Sequence, residues 1–276
     1  MQHKRILSVQ DISCLGQCSM TVALPILSIC GLETCILPTM VLSTHTGGLG
    51  TPHRRDLTDD ILPTAEHWKQ QGISFDGICV GYLGKAEQVQ MVCEVATKLL
   101  KPEGKLIVDP AMADHGKLYS GIAPECGEEM KKLCRQADVI LPNLTEAYLL
   151  AGSNYMEHPS RQEVETLLKK LEQYFGGTIL LTGVGFVPGE TGFALRDGGE
   201  THFYHRPMVG RSYHGTGDMF TAAFAGAYLQ ERPAYDAALL AAEFVGKVAE
   251  KTAREPAHDY GTRFEAGLPW LAQQME

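Results

Sequence analysis

Late in the 276-residue chain, Gly215-Thr216-Gly217-Asp218 runs directly into Met219-Phe220-Thr221-Ala222-Ala223-Phe224-Ala225-Gly226-Ala227, a segment of small and apolar residues suited to a buried helix. Two glycines let the backbone turn so that successive N–H groups converge at the helix start, where the macrodipole favours a negative group. Charge developing on a transferring phosphoryl group could be held there. Asp218, in the first helical turn, is placed to take the proton from a hydroxyl that attacks that group. The same tetrapeptide equally suits an aspartate that simply caps a helix after a glycine turn.

A second set of oxygen ligands lies upstream. Asp109, Asp114 and Glu146 follow successive strand-like runs, and Asn143 sits beside Glu146 in Pro142-Asn143-Leu144-Thr145-Glu146. Magnesium takes oxygen ligands, keeps several waters and is usually held by one or two carboxylates plus substrate phosphates, so carboxylates near a phosphate site imply such an ion. Taken singly, each of these residues also suits a helix cap or a solvated turn.

These residues need a scaffold that brings them together. Short apolar runs at Arg5 to Val9, Cys35 to Leu42, Gly77 to Val80, Lys105 to Val108, Val139 to Leu141 and Thr178 to Leu181 are nearly continuously hydrophobic, as strands covered on both faces are. Helical periodicity fills the gaps at 19–30, 57–71, 86–100, 125–136, 145–151 and 160–175, with Pro25 predicting a kink or a later start in the first. The alternation predicts an α/β fold, a three-layer α/β/α sandwich around a mostly parallel sheet. Asp197-Gly198-Gly199 predicts a hairpin between Gly192 to Leu195 and Thr201 to Tyr204, and two helices, 218–230 and 234–253, close the chain. No repeat or linker divides it, so residues 1–276 read as one domain.

In open α/β sheets the ligand lies beyond the carboxyl ends of the strands. The residues there are polar and glycine-rich: Gln10 and Asp11, then Ser43 to Gly48, Gly81-Tyr82, Asp109-Pro110, Asn143 with Glu146, and Thr182-Gly183.

Composition narrows the partners. Acidic residues number 33 against 24 basic ones, a net charge of −9, and the basic residues form no stripe that could neutralise a nucleic-acid backbone. No apolar run reaches the length of a membrane span, and the opening MQHKRILSVQD does not resemble a signal peptide, so a cytoplasmic protein is expected. The eight cysteines lack zinc-ligand or C-x-x-C spacing and read as reduced, buried thiols. His45, His53, His115 and His214 have no metal-ligand spacing, and Arg54-Arg55 reads as a solvated turn. Thr182-Gly183-Val184-Gly185 lacks the full dinucleotide fingerprint.

Together, Gly215-Thr216-Gly217-Asp218, Asp109-Pro110 with Asp114, and Asn143-x-x-Glu146 resemble the ribokinase superfamily of ATP-dependent kinases. Leu7-Ser8-Val9-Gln10, Thr44-His45-Thr46-Gly47 and Gly81-Tyr82 are similar to the pyridoxal/pyridoxamine kinase branch, and the motifs follow in that family's order from about residue 4 to 253. The resemblance implies phosphorylation of the 5′-hydroxymethyl group of a vitamin B6 vitamer, with ATP as co-substrate, Mg2+ as cofactor and, in some members, a monovalent cation. It implies Asp218 as base and the amides of Gly215, Thr216 and Gly217 as an anion hole. Asp11, Thr46 and Tyr82 would line the ring pocket; Asp109, Asp114, Tyr119, Asn143, Thr182, Gly183 and Gly217 would lie at the nucleotide, with Asp114 and Glu146 acting through the metal. A homodimer is likewise an implication of the resemblance. Asp11 replaces the serine of the better-known relatives, the stretch from Asp114 to Tyr119 is shorter than the animal flap, and Leu49 to His53 lacks an aromatic found in several members. Hydroxymethylpyrimidine kinase, a sugar kinase and a catalytically silent vitamer- or nucleotide-binding protein are the alternatives.

Overall fold

The computed structural model describes residues 3–210, 213–255 and 260–276. Its frame is a nine-stranded sheet. In chain order the elements begin with β1 (Lys4–Ser13), α1 (Met20–Ile29), β2 (Leu32–Leu42), β3 (Arg54–Asp56), α2 (Thr58–Gln70), β4 (Phe75–Val80), α3 (Ala86–Leu99) and β5 (Leu100–Val108). A two-stranded flap, β6 (Ala113–Asp114) and β7 (Lys117–Leu118), precedes α4 (Glu125–Gln136), β8 (Val139–Ile140), α5 (Leu144–Leu150), α6 (Arg161–Glu172) and β9 (Thr178–Thr182). The hairpin β10 (Glu190–Asp197) and β11 (Glu200–Pro207) follows, then α7 (Thr216–Leu229), α8 (Ala234–Thr252) and, after a 3-10 turn at Phe264–Ala266, α9 (Leu268–Met275).

The strand order is β11-β10-β9-β8-β5-β4-β1-β2-β3. Pairings from β2 through β9 are parallel, and β3, β10 and β11 are added antiparallel at the edges. Period-2 alternation sorts the side chains into two cores. Leu7, Val9, Ile78, Val80, Leu106, Val108 and Ile179 face one core, packed by α2 to α6. Ile6, Cys79, Ile107, Val139 and Leu180 face the other, packed by α1, α7, α8 and α9. A sheet buried on both faces explains the continuous apolar runs, and the result is the expected three-layer sandwich.

Several boundaries differ from the sequence expectation. β1 continues past Val9 to Ser13, so Gln10 and Asp11 belong to the strand, because β2 offers a partner along its whole length. α1 starts at Met20 and runs through Pro25, held by the buried Val22, Ala23, Ile26 and Leu27, whose burial outweighs one lost helical bond. Arg54 and Arg55 lie in the edge strand β3 paired to β2, not in a turn. The chain does not close on α8: α9 buries Leu271 and Met275, an apolar pattern two turns long and too short to declare itself in sequence.

Candidate active site

The sheet order reverses at β1: α1 carries the chain to β2 on one side, and α2 returns it to β4 on the other. Such a reversal opens a crevice at the carboxyl ends of the two strands. Here those ends supply Gln10, Asp11, Gly81 and Tyr82, and β5 adds Asp109. The start of α7 lies across the opening, so a small pocket is lined by Gln10, Cys79, Gly81, Asp109, Asp218 and Thr221, among others.

Packing of α1 on α7 sets the position of Asp218. A Cβ on Gly226 would fall 2.5 Å from the Cys30 sulfur, so the small residues of α7 are what permit the two helices to approach. At the other end of the contact the Ser19 N–H, in the N-cap position of α1, donates to Asp218 Oδ2 at 2.8 Å. Asp218 thus lies in the first turn of one helix and at the N-terminus of another, two sources of positive potential. Gly215 caps α7 at φ 82°, and a Cβ there would lie 2.0 Å from the Gln17 carbonyl oxygen, so both conformation and space demand glycine. Gln17 and Ser19 are themselves left-handed, at φ 55° and 53°, local strain of the kind that clusters at functional sites. Met219 makes the first intrahelical bond, to the Gly215 carbonyl, and the amides of Thr216, Gly217 and Asp218 precede it at the helix mouth.

Electrostatically the crevice is an uncompensated negative pocket. Burial raises the Asp218 carboxyl to about 7, against the opposing Ser19 bond, and the charges of Asp109 and Asp11 add to the rise. Burial likewise lifts Asp109 to about 6, although the Thr221 hydroxyl donates to it at 2.9 Å. Asp11 is raised by burial and tempered by the hydroxyls of Ser19 and Ser13. Glu146 is pushed well above the ordinary carboxylate range, first by burial and then by Asp109. None of the four has a salt-bridge partner among the described residues. A hard divalent cation is the chemical complement of such a set.

Asp114 and Glu146 are held differently. Glu146 Oε1 accepts the Met112 and Ala113 amides at 2.9 and 3.3 Å, and Oε2 accepts the Asn143 amide at 2.9 Å, closing a capping box on α5. Its oxygens fasten the flap while its charge faces Asp109. Asp114 is exposed, and Oδ1 accepts the His115 amide. Among the described residues no group of three or more acidic, His or Cys side chains forms a ready metal cage; magnesium, which keeps its waters and leans on phosphates, does not require one. Asn143 caps α5 and donates to the Ala113 carbonyl at 2.8 Å, so it too ties the flap down. Thr182 bridges Asn143 at the end of β9, and Gly183, at φ 72°, turns the chain away with open space beside it. Tyr119 follows the flap. Burial and the charges of Glu146, Asp114, Asp109 and Asp218 raise its phenol, so the ring stands within electrostatic reach of the acidic cluster.

Asp11 and Tyr82 are brought together, each within electrostatic reach of the other. Thr46 is not buried with them; it is exposed in its loop, and the ordered group there is its neighbour His45. His45 Nδ1 accepts the Gly47 amide at 3.0 Å, so the proton rests on Nε2, 2.9 Å from the Tyr260 carbonyl, and its ring lies 4.7 Å from that of His214. Arg54, reaching from β3, would come within 3.5 Å of a Cβ at Gly121 beyond the flap, and its charge acts on Tyr82. Ser19, His45 and Arg54 were not singled out by sequence for this site. A serine just before an apolar helix was the one available signal, for Ser19.

Comparison with known proteins agrees with this architecture. Residues 41–262 match the phosphomethylpyrimidine kinase family model. A pyridoxal kinase structure from Lactobacillus plantarum is 30% identical, with TM-score 0.92 over 99% of this chain and 98% of that one. A candidate phosphomethylpyrimidine kinase from Bacteroides thetaiotaomicron, in a crystal form with pyridoxal, is 32% identical, with TM-score 0.93 over 98% of this chain and 96% of that one. The pyridoxine/pyridoxal/pyridoxamine kinase of Bordetella avium is 28% identical across 79% of this chain and 75% of its own length. The fold is that of a small-molecule kinase. The chain belongs to the phosphomethylpyrimidine kinase family, in the pyridoxal kinase branch of the ribokinase superfamily. No described helix is long and apolar enough to cross a membrane.

Proposed function

We propose that this kinase transfers the γ-phosphoryl group of ATP to the 5′-hydroxymethyl group of a vitamin B6 vitamer, supplying the phosphorylated cofactor by salvage in the cytoplasm, and that it works as a homodimer. The observation that carries the reading is Asp218: a carboxyl raised to about 7, held by the Ser19 amide at the convergence of two helix N-termini, beside the Asp11 and Tyr82 pocket. A base tuned near neutral pH can accept a hydroxyl proton as the oxygen attacks. The amides of Gly215, Thr216 and Gly217 would then stabilise the charge on the moving phosphoryl group without reorganising.

In this reading Tyr82 stacks against the flat ring, Asp11 accepts from a ring substituent or a protonated ring nitrogen, and Thr46 closes the pocket from its loop. Asp109, Asn143, Thr182 and Gly183 would border the nucleotide phosphates, and Tyr119 and the flap would shield them from water. Asp109 and Asp114 would hold Mg2+, with Glu146 acting on the ion through its charge while its oxygens hold the flap; the ion, when bound, would neutralise phosphate charge.

Hydroxymethylpyrimidine is the competing substrate, a pyrimidine alcohol related to the phosphomethylpyrimidine for which the matching family is named. ADP release measured with pyridoxal, pyridoxamine, pyridoxine and hydroxymethylpyrimidine separates the two readings. Turnover confined to the pyrimidine overturns the B6 reading, and binding without ADP release would leave a silent carrier.

A further inference from the structure

Gln88 lies in the first turn of α3, outside the crevice, and is fully buried. Its Nε2 donates to the Thr39 carbonyl at 3.0 Å and to the Thr58 hydroxyl at 2.9 Å, and its Oε1 accepts the Gly84 amide at 2.9 Å. The orientation of the amide is determined by its neighbours. The single Thr58 hydroxyl proton goes to Asp56 Oδ1, so Thr58 can only accept from Gln88. Flipping the amide would set oxygen against oxygen at Thr39 and N–H against N–H at Gly84.

Both anchored segments end in the ring pocket. Between Gln10↔Pro38 and Ile12↔Val41 the ladder of β1 and β2 slips, so Thr39 and Met40 oppose the single residue Asp11. A bulge of this kind re-aims the side chain beside it. On the other side, Gly84 stands two residues after Tyr82, and a Cβ on it would lie 2.9 Å from the Met40 methyl. The wall carrying Asp11 and the wall carrying Tyr82 are thus joined through one side chain.

We propose that Gln88 is the positioning residue of the ring pocket, setting the span between the bulge at Asp11 and the Tyr82–Gly84 segment and thereby the selection of the ring substrate. This rests on the ring-kinase reading above and deepens it. Gln88 touches neither the nucleotide side of the crevice nor Asp218, so its loss acts on one substrate.

The test uses the full chain with Gln88→Met, which keeps side-chain length but removes the bonds. One buried hydrogen bond left unmade is worth about tenfold in an equilibrium, so the KM for the ring substrate rises about tenfold while kcat and the KM for ATP stay within about twofold. Amide exchange at Gly84 accelerates while exchange in β4 does not. Gly84→Ala, whose methyl crowds Met40 at 2.9 Å while meeting Gln88 Oε1 only at ordinary contact distance, 3.8 Å, reproduces the split. A fall in Tm with the ring-substrate KM unchanged, or an equal rise in both KM values, overturns the proposal. If the wild type phosphorylates hydroxymethylpyrimidine and no B6 vitamer, the B6 reading fails and the same split is read with the pyrimidine. If it phosphorylates neither, unchanged Gly84 exchange in Gln88→Met refutes the positioning role.

Discussion

The Ser19 amide and the Asp218 carboxylate meet at 2.8 Å although 199 residues separate them in the chain. The bond joins the N-termini of α1 and α7, and it ties the candidate base to a strained backbone turn at Gln17 to Ser19. A carboxylate so held keeps one oxygen occupied and leaves the other to face a hydroxyl.

Asp218→Asn preserves an oxygen for the Ser19 amide but removes the proton acceptor. Turnover falls by roughly 10² to 10⁴, the usual worth of general-base catalysis, while ATP affinity is retained. Steady-state kinetics with a nucleotide-binding titration read both quantities; unaltered kcat would take Asp218 out of the base role.

The pH profile follows from the raised Asp218 carboxyl. The base works only when ionised, so kcat/KM is low in acid and rises with pH through a midpoint near 7. Asp109→Asn removes a neighbouring negative charge and moves that limb to lower pH. Stability runs the opposite way: a carboxyl whose folded value exceeds its unfolded one favours the fold below about pH 4 and loses that advantage as pH rises through about 7. Asp218→Asn is therefore more stable than wild type at pH 8, by on the order of 4 kcal/mol, and the difference vanishes near pH 4. Denaturant titrations at the two pH values check this sign.

Gly215 and Gly217 separate a structural from a chemical need. Gly215→Ala forces a methyl to within 2.0 Å of the Gln17 carbonyl oxygen at a left-handed φ, and loses on the order of 2–4 kcal/mol. A Cβ on Gly217 meets nothing within 4 Å, and alanine is the better helix former by about 0.5–1 kcal/mol. Gly217→Ala thus keeps or raises Tm yet lowers kcat, because its methyl enters the space where the phosphoryl group would approach the amides. Equal activity in Gly217→Ala and wild type would move the anion hole elsewhere.

Chelation tests the acidic pocket. Removing divalent ions with EDTA abolishes phosphoryl transfer, and Mg2+ restores it. Because Asp109, Glu146 and Asp218 repel one another when charged, Mg2+ with a nucleotide also raises Tm. That increment shrinks in Asp109→Asn, as differential scanning fluorimetry would show.

The sequence by itself determined the layers and the address of the site. Apolar runs at Gly77 to Val80 or Lys105 to Val108 point to buried strands, and residues at the ends of such strands line the crevice of an α/β sheet, which is why Asp11, Tyr82 and Asp109 are candidates; Asp218 is one because a glycine turn opens its helix. Their chemistry is local, since a glycine turn before a helix makes the same amide cradle in any context.

Tertiary packing decided which oxygens are free. Glu146, read from sequence with Asp114 at the metal, spends its oxygens on the amides of Met112, Ala113 and Asn143, because the flap folds back on α5. Thr46 stays exposed while His45 is buried against Gly16 and Tyr260. Arg54 became a strand residue because β2 had an unpaired edge. No pattern along the chain foretells Ser19 at Asp218 or Gln88 at Thr39. Such bonds form between segments joined only by the sheet's reversal at β1, and a hydrogen bond's partner is fixed by where backbones arrive in space, not by spacing along them.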